Sequence, residues 1–397
     1  MSILSDRIKQ LGESETLAMA KRARALQAEG HNVISLSTGE PDFFTPDHIK
    51  EAAKNAIQNN KSYYTPVAGI PELRQAISYK LKRDNNLNYS PEQIVVSTGA
   101  KHTIMNLILS VINPGDEVII PTPYWVSYAE MVRFAGGIPK FVKGKFENEY
   151  KITAEELESN ISAHTKLLLF SSPCNPTGAI YSKEELLELS KILQKHPKIL
   201  ICSDEIYEHI NFVGNHFSIA QIESMYERTI VVNGVSKGFA MTGWRIGYLA
   251  GPKEIALACE KLQGQFTSGA NSIAQYASVA AMGDNLEPTY AMRNKFKERR
   301  DLVIELSKDI IGFKTFIPKG AFYLYPDISY YFGKANGETT IHDAFDLSMY
   351  LLNDAHVATV SGSAFGSEEC IRLSFATSSE LLIEAFRRMK ISLDKLN

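Results

Sequence analysis

The stretch TIVVNGVSKGFAMTGWRIGYLAG, residues 229–251, decides the fold. Its first four residues, Thr229–Val232, are an apolar run that reads as a buried strand. The run breaks into a polar, glycine-containing loop, Asn233 to Gly238, and a second strand-like run follows over Arg245–Ala250. Lys237 therefore stands just past the end of a buried strand. Partial burial lowers a lysine's pKa, and the neutral amine is the form that makes a Schiff base with a carbonyl. Ser236 and Arg245 flank it, a hydroxyl and a fork-shaped cation, both of them phosphate-binding types. A nucleophilic lysine between phosphate ligands points to an aldehyde cofactor that carries a phosphate. Taken alone, Lys237 reads as a solvated loop lysine.

Working outward, residues 93–251 alternate apolar runs with helical patterns. The strands predicted are Ile94–Ser97, Glu117–Ile120, Pro139–Val142, Leu167–Ser171, Ile199–Ser203, Ile230–Val232 and Arg245–Ala250, with helices over 100–112, 153–160 and 182–195 between them. Continuous apolar strands alternating with helices predict an α/β fold with a buried, mostly parallel sheet. Ligands bind beyond the carboxyl ends of such strands. The loops rich in polar chemistry do follow strands: Thr98 to Lys101, Ser172 to Asn175, Asp204-Glu205 and Ser236-Lys237. Outside this region, helices are predicted over 14–30, with Ser14 as cap, over 46–59 and over 379–395, and residues 252–310 read as mainly helical. Short strands are predicted over Asn32–Leu36, Ile317–Tyr325 and Cys370–Phe375.

Composition narrows the function classes. The net charge of -3 and pI near 6.3 give no electrostatic case for nucleic acid or a membrane surface as partner. No apolar run approaches the ~18 residues that span a bilayer. The first residues, MSILSDRIKQLGESETL, contain no signal-peptide core. Cys174, Cys202, Cys259 and Cys370 lie far apart with no CxxC pair, which fits a reducing cytoplasm and no metal site.

Ser-Lys-x5-Gly-x-Arg-x-Gly at residues 236–247 resembles the cofactor-lysine signature of class I pyridoxal-phosphate-dependent aminotransferases, and the chain looks most similar to their bacterial-type aspartate aminotransferase subgroup. The resemblance runs over about residues 14–395. Further segments match in order: Gly39-Glu40-Pro41-Asp42, the Tyr64 segment ending in Leu73-Arg74, and Asn175-Pro176-Thr177-Gly178. It implies a fold type I architecture: a large cofactor-binding domain, residues 46–289, with a mostly parallel seven-stranded sheet between helices, and a small α+β domain from 1–45 and 290–397. It also implies a homodimer with shared active sites, in which Tyr64 reaches the partner's cofactor phosphate. Two positions depart from the pattern: Ser361 stands where proline is frequent, predicting a looser loop above Arg372, and Cys174 where asparagine is common.

Within that frame each chemical residue takes a role, beside a plainer reading. Gly99 and Ala100 open a helix whose first-turn N–H groups suit an anion, here the phosphate held with Ser236 and Arg245; most such junctions are only turns. Trp125 stacks on the cofactor ring, or is simply a core tryptophan. The resemblance gives Asn175 an amide bond to the cofactor's phenolic oxygen, and Tyr207 a bond from that oxygen's other side; an Asn-Pro turn is the plainer alternative. Asp204 ends a very apolar strand, and a buried carboxylate needs a cation, here the protonated ring nitrogen. Asp204, Glu205, Glu208 and His209 crowd six residues, but no second cluster completes a carboxylate metal centre, so no metal is predicted. Arg372, mid-strand between apolar neighbours, grips the substrate α-carboxylate, or else belongs to a structural ion pair. The resemblance also gives Gly39 a backbone N–H to that carboxylate, and Lys101 either the substrate's side-chain carboxylate or the phosphate.

The expected reaction is a ping-pong amino transfer between amino acids and 2-oxo acids with Lys237 as Schiff-base lysine and proton carrier, aspartate and 2-oxoglutarate first. Prephenate, aromatic or alanine transamination and a C–S lyase on the same fold are the alternatives.

Overall fold

The computed structural model describes residues 3–9 and 11–397. Its centre is a seven-stranded sheet in the order Ile94–Ser97, Gly247–Ala250, Thr229–Gly234, Leu200–Asp204, Thr165–Ser171, Glu117–Thr122, Ile138–Lys143. Only Gly247–Ala250 runs against its neighbours; the other pairings are parallel. The buried strands are apolar on both faces, as a helix-covered parallel sheet requires. Along Thr165–Ser171 the period of two is visible. Leu167 and Leu169 pack with Ile104, Leu107, Ile108 and Val132 on one face. Leu168 and Phe170 pack with Leu157, Leu186, Leu189 and Leu193 on the other. Each such side chain contributes roughly 1.5–3 kcal/mol by leaving water.

The connecting helices are locally encoded. Lys183–Gln194 starts in a capping box of Ser182 and Glu185, and Ala154–Asn160 in one of Thr153 and Glu156. The first turns Leu186, Leu189 and Leu193 to the sheet and the second Leu157. This architecture aligns Ser171, Asp204 and Val232 across three neighbouring strands at their carboxyl ends. The loop carrying Ser236 and Lys237 leaves from the same edge.

A second core joins Ile34 and Leu36 to Phe296, Val303, Phe322, Leu347, Leu351, Leu373, Phe386 and Met389. It holds a small antiparallel sheet, Val360–Ser361, Ile371–Ser374 and Tyr323–Leu324, beside the helices Glu287–Ser307, Ala344–Asp354 and Ser379–Leu393.

Several expectations need correcting. The strand predicted over Asn32–Leu36 is only Ile34–Ser35, because its partner Val357–Ala358 is equally short. Of Ile317–Tyr325 only Tyr323–Leu324 is strand; Gly320 and Ala321 are drawn instead into bonds to Gly178 and Ile210. Arg245 is not in its strand. It closes a 3-10 turn at φ +58°, and the strand begins at Gly247. Ser14 holds the cap position of Glu15–Ala28 but makes no side-chain capping bond. The loop above Arg372 is not loose: Ser361 Oγ bonds Ser363 Oγ at 2.6 Å and pins the turn Gly362–Phe365. The helices Pro71–Asn85 and Ala344–Asp354 were not anticipated.

Candidate active site

A cavity of about 340 Å³ opens at the carboxyl edge of the large sheet. Gly39, Ala100, Lys101, Trp125, Asn175, Asp204, Tyr207, Ser236, Lys237, Arg245 and Arg372 all line it. Residues from eight separate stretches of chain thus meet in one place. Gly99 lies immediately behind: a Cβ added there would come 2.3 Å from Arg245 Nη2, so only glycine lets the guanidinium approach the helix start. Tyr64 is not part of this cavity and is fully exposed, with Tyr63 beside it 81% exposed.

Lys237 is enclosed, and burial brings its ammonium down to about pKa 8. Its Nζ donates to the Gly39 carbonyl. Asp204 is 4% exposed, and burial pushes its carboxyl up to about 6. Its Oδ2 accepts from Tyr128 Oη at 2.6 Å and its Oδ1 from the Ile206 N–H at 3.2 Å. Neither partner is a cation, so the carboxylate keeps an unmet demand for positive charge.

Arg372 is 2% exposed, and burial lowers its pKa. It donates to Asn175 Oδ1 at 2.9 Å and to the Ser37 carbonyl at 2.7 Å, and lies over the Tyr323 and Phe365 rings. Its Nε has no partner. No carboxylate pairs with it among the described residues, which removes the structural ion-pair reading. Because Asn175 Oδ1 is taken by Arg372, the amide nitrogen remains to donate elsewhere.

Lys101 opens onto the cavity with its Nζ 5.0 Å from the centre of the Trp125 ring. Burial, and then the nearby Arg245, lower its pKa. Arg245 donates to the Thr242 carbonyl at 2.9 Å and weakly toward Thr98 O. The cavity therefore holds Lys101, Arg245 and Arg372 with no carboxylate bonded to any of them among the described residues. Such a basic, walled space suits a ligand with several anionic groups.

The sequence reading missed two tyrosines. Tyr128, buried, is the hydroxyl partner of Asp204. Tyr323, also buried, bonds Tyr207 Oη at 2.7 Å and supports Arg372. Tyr323 belongs to Gly320-Ala321-Phe322-Tyr323, which the sequence alone marks only as a strand. Ser14, Thr16 and Leu17 also reach the cavity wall. Among the described residues no group of three or more His, Cys, Asp or Glu is arranged to hold a metal ion. In the crowded segment, Asp204 faces the cavity while Glu205 and Glu208 meet other partners.

The family profile Aminotransferase class I and II matches residues 31–389. The aspartate/prephenate aminotransferase of Cereibacter sphaeroides is 47% identical over 393 residues, covering 98% of each chain. The aspartate aminotransferase of Bacillus subtilis is 45% identical over 394 residues, covering 99% of each. Among solved structures, aspartate aminotransferase from Rhizobium meliloti superposes with a TM-score of 0.97 at 41% identity, covering 100% of both chains. The Thermus thermophilus enzyme, solved with maleate, gives 0.92 at 41%, covering 99% of this chain and 100% of that one.

Proposed function

The chain belongs to the class I and II aminotransferases, and from that premise we propose that it moves the amino group of L-aspartate to 2-oxoglutarate, with the residues of the 340 Å³ cavity as its machinery. The family works with pyridoxal phosphate. The cavity fits that group: an enclosed lysine of depressed pKa for the aldehyde, a buried carboxylate lacking a cation for the ring nitrogen, and a helix start beside Arg245 for the phosphate. When bound, the cofactor supplies an aldehyde to receive the amino group and a ring that draws electrons from the α-carbon.

The chain's own residues do the rest. Lys237 holds the cofactor and then, as a free amine, carries the proton that leaves the α-carbon at its Nζ. Asp204, kept in place by Tyr128, secures positive charge at the ring nitrogen. Gly99, Ala100, Ser236 and Arg245 bind the phosphate. Trp125 covers the ring. Asn175 and Tyr207 address its phenolic oxygen. Arg372, with Nε unpartnered, grips the α-carboxylate near the Gly39 backbone. Lys101 takes the side-chain carboxylate.

The observation that carries the aspartate reading is the pair Lys101 and Arg372: two cations on one cavity, neither bonded to a carboxylate of this chain. A dicarboxylate such as the maleate of the Thermus thermophilus structure has the matching charge. The same pair favours one second reading. Prephenate also carries two carboxylates, and relatives at 47% identity are named for both activities.

We further assign residues 1–45, of which 1, 2 and 10 lie outside the described residues, and 290–397 to a small domain and 46–289 to a large one. The core that Ile34 and Leu36 share with residues 292–396, bordered by Tyr207 and Ile210 of the large domain, supports this, as does the two-pronged Arg299–Asp42 pair at 2.6 and 2.8 Å. A homodimer gives Tyr63, Tyr64 and Phe44, all strongly exposed, a surface to bury. Four unpaired thiols fit a cytoplasmic setting, and no helix of the described residues is long and apolar enough to cross a membrane.

A half-reaction screen tests the assignment. The holoenzyme is mixed with single amino acids while the cofactor's visible band and the oxo acid formed are followed. Aspartate and glutamate should react fastest and release no ammonia. Pyruvate and ammonia from a β-substituted amino acid would instead identify a lyase.

A further inference from the structure

The turn that carries Asp204 and Tyr207 has a second face, which the reaction does not use. Asp204 and Tyr207 line the cavity; Glu205 and Glu208, both buried, turn to other partners. Glu205 Oε1 accepts from Ser203 Oγ at 2.8 Å and from Ser218 Oγ, and its Oε2 lies 3.1 Å from Nε2 of His216, a charge contact without the alignment of a hydrogen bond. Glu208 is ion-paired with buried Lys80 and accepts from Asn85 Nδ2 at 2.9 Å; Lys80 also donates to Asn85 Oδ1 at 2.8 Å. His209 Nε2 is 3.5 Å from Glu208 Oε1. The His209 side chain lies against Gly238, the residue after Lys237: a Cβ there would come 2.9 Å from His209 Cβ. A separate polar cavity of about 230 Å³, walled in part by Arg83, Asp84 and Arg293, reaches Glu208, His209 and His216.

Burying these charges has a cost that apolar packing would not. What charged partners add is direction. Asp204 and Glu205 are adjacent carboxylates, and a slip of the turn would aim the wrong one at the cavity. Each carboxylate is instead matched to its own partner set on its own side.

We propose that the Glu205–His216 and Glu208–Lys80 pairs are positioning elements that hold the 204–209 turn, so that Asp204 and Tyr207 keep their places in the cofactor cavity, and that the His216 proton governs this hold. The proposal rests on the reading of Asp204 and Tyr207 as cofactor-facing groups. Burial alone would lower the His216 pKa, but the Glu205 carboxylate raises it above the ordinary value; Glu208 adds to the rise and Lys80 opposes it. His216 is thus protonated on the acid side. As pH rises through its raised pKa, Glu205 loses its cation and keeps only the two serine hydroxyls. The hold on Asp204 therefore weakens toward alkaline pH.

The test uses the holoenzyme of His216→Asn, Glu205→Gln and the milder Ser218→Ala, which removes one hydroxyl donor. Two quantities are read: the pH titration of the bound cofactor's visible absorbance without substrate, and kcat and KM for the amino acid. Misplacement of reacting groups by fractions of an ångström should cost about ten- to a hundredfold in kcat with KM nearly unchanged. The absorbance midpoint should move in His216→Asn and Glu205→Gln, and a separate step that the His216 proton adds to the wild-type titration should be absent in His216→Asn. If His216→Asn or Glu205→Gln fails to fold, Ser218→Ala must still show the smaller shift in the same sense. Variants that melt earlier yet keep the wild-type titration and kcat below their melting point would overturn the proposal. Asp204→Asn is the control for the underlying reading. If it leaves the absorbance titration unchanged, Asp204 does not face the ring nitrogen, and that reading has failed rather than the network.

Discussion

Replacing Lys101 by serine is the most informative single change, because it separates substrate recognition from cofactor binding. The ammonium sits over Trp125 with no carboxylate bonded to it, and Arg245 is near enough to lower its pKa. A charge-assisted hydrogen bond to a substrate carboxylate contributes roughly 1.5–3 kcal/mol. Lys101 is open to the cavity, so solvent screening favours the lower part of that range, about 1.5–2 kcal/mol. At about 1.4 kcal/mol per factor of ten, Lys101→Ser should lower kcat/KM for aspartate by about ten- to thirtyfold. Alanine has no side-chain carboxylate and should lose no more than about twofold. The assay is steady-state transamination of both amino acids at saturating cofactor, with cofactor affinity measured in parallel. Equal losses for the two substrates, accompanied by weaker cofactor binding, would refute the reasoning and move Lys101 to the phosphate site.

Three further outcomes are expected. In the cofactor-free chain Asp204 has a folded pKa near 6 against 3.8 unfolded, so ionising it destabilises the fold increasingly as pH rises from about 4 to 6. Asp204→Asn should then raise the melting temperature at pH 7.5 and lose that advantage near pH 4, while turnover of the holoenzyme falls by about 10²–10³. Lys237 is held near 8, and only the neutral amine attacks an aldehyde, so the rate of cofactor capture should climb through about pH 8 rather than 10.5. Borohydride reduction should fix the cofactor on the peptide containing Lys237, and a label on another lysine would remove the assignment. Tyr64→Phe should weaken cofactor retention by about 0.5–1.5 kcal/mol, and mixing it with Lys237→Ala should restore activity in hybrid dimers; a fully active monomer in sedimentation would end the shared-site idea.

The site was legible where chemistry is concentrated in short strings. Ser236-Lys237, Asp204 and Asn175-Pro176 each follow an apolar strand, and eleven of the expected positions do line one cavity. The strands of the large sheet were visible as apolar runs, with ends displaced by at most two residues. What was hidden depends on distant partners. Tyr128 is significant only because Asp204 lies 76 residues on, and Tyr323 because of Tyr207, 116 residues before it. The helix Pro71–Asn85 escaped notice because its polar residues mask the apolar stripe Leu73, Ile77, Leu81, and because Lys80 is buried only by virtue of Glu208. Arg245 looked like the start of a strand, since a positive φ leaves no mark on a non-glycine residue.

The antiparallel insertion in the sheet has a consequence for how this chain tolerates change. Thr229–Gly234 and Gly247–Ala250 are neighbours joined by only the residues between them, with Gly234 opposite Gly247. Ser236, Lys237 and Arg245 all lie inside that single excursion. On the proposed roles of Lys237 and Arg245, the attachment point for the aldehyde and the cation for the phosphate would be spaced by one closed loop of fixed length, a ruler cut to the cofactor. Surface loops absorb insertions readily, since added length costs little entropy. Here a residue gained or lost must either shift the pairing and turn every following side chain to the opposite face of the sheet, or change the distance between the two anchors. The segment is therefore expected to accept a substitution at exposed Gly243, where an added Cβ would meet nothing within 4 Å, far more readily than any change in its length.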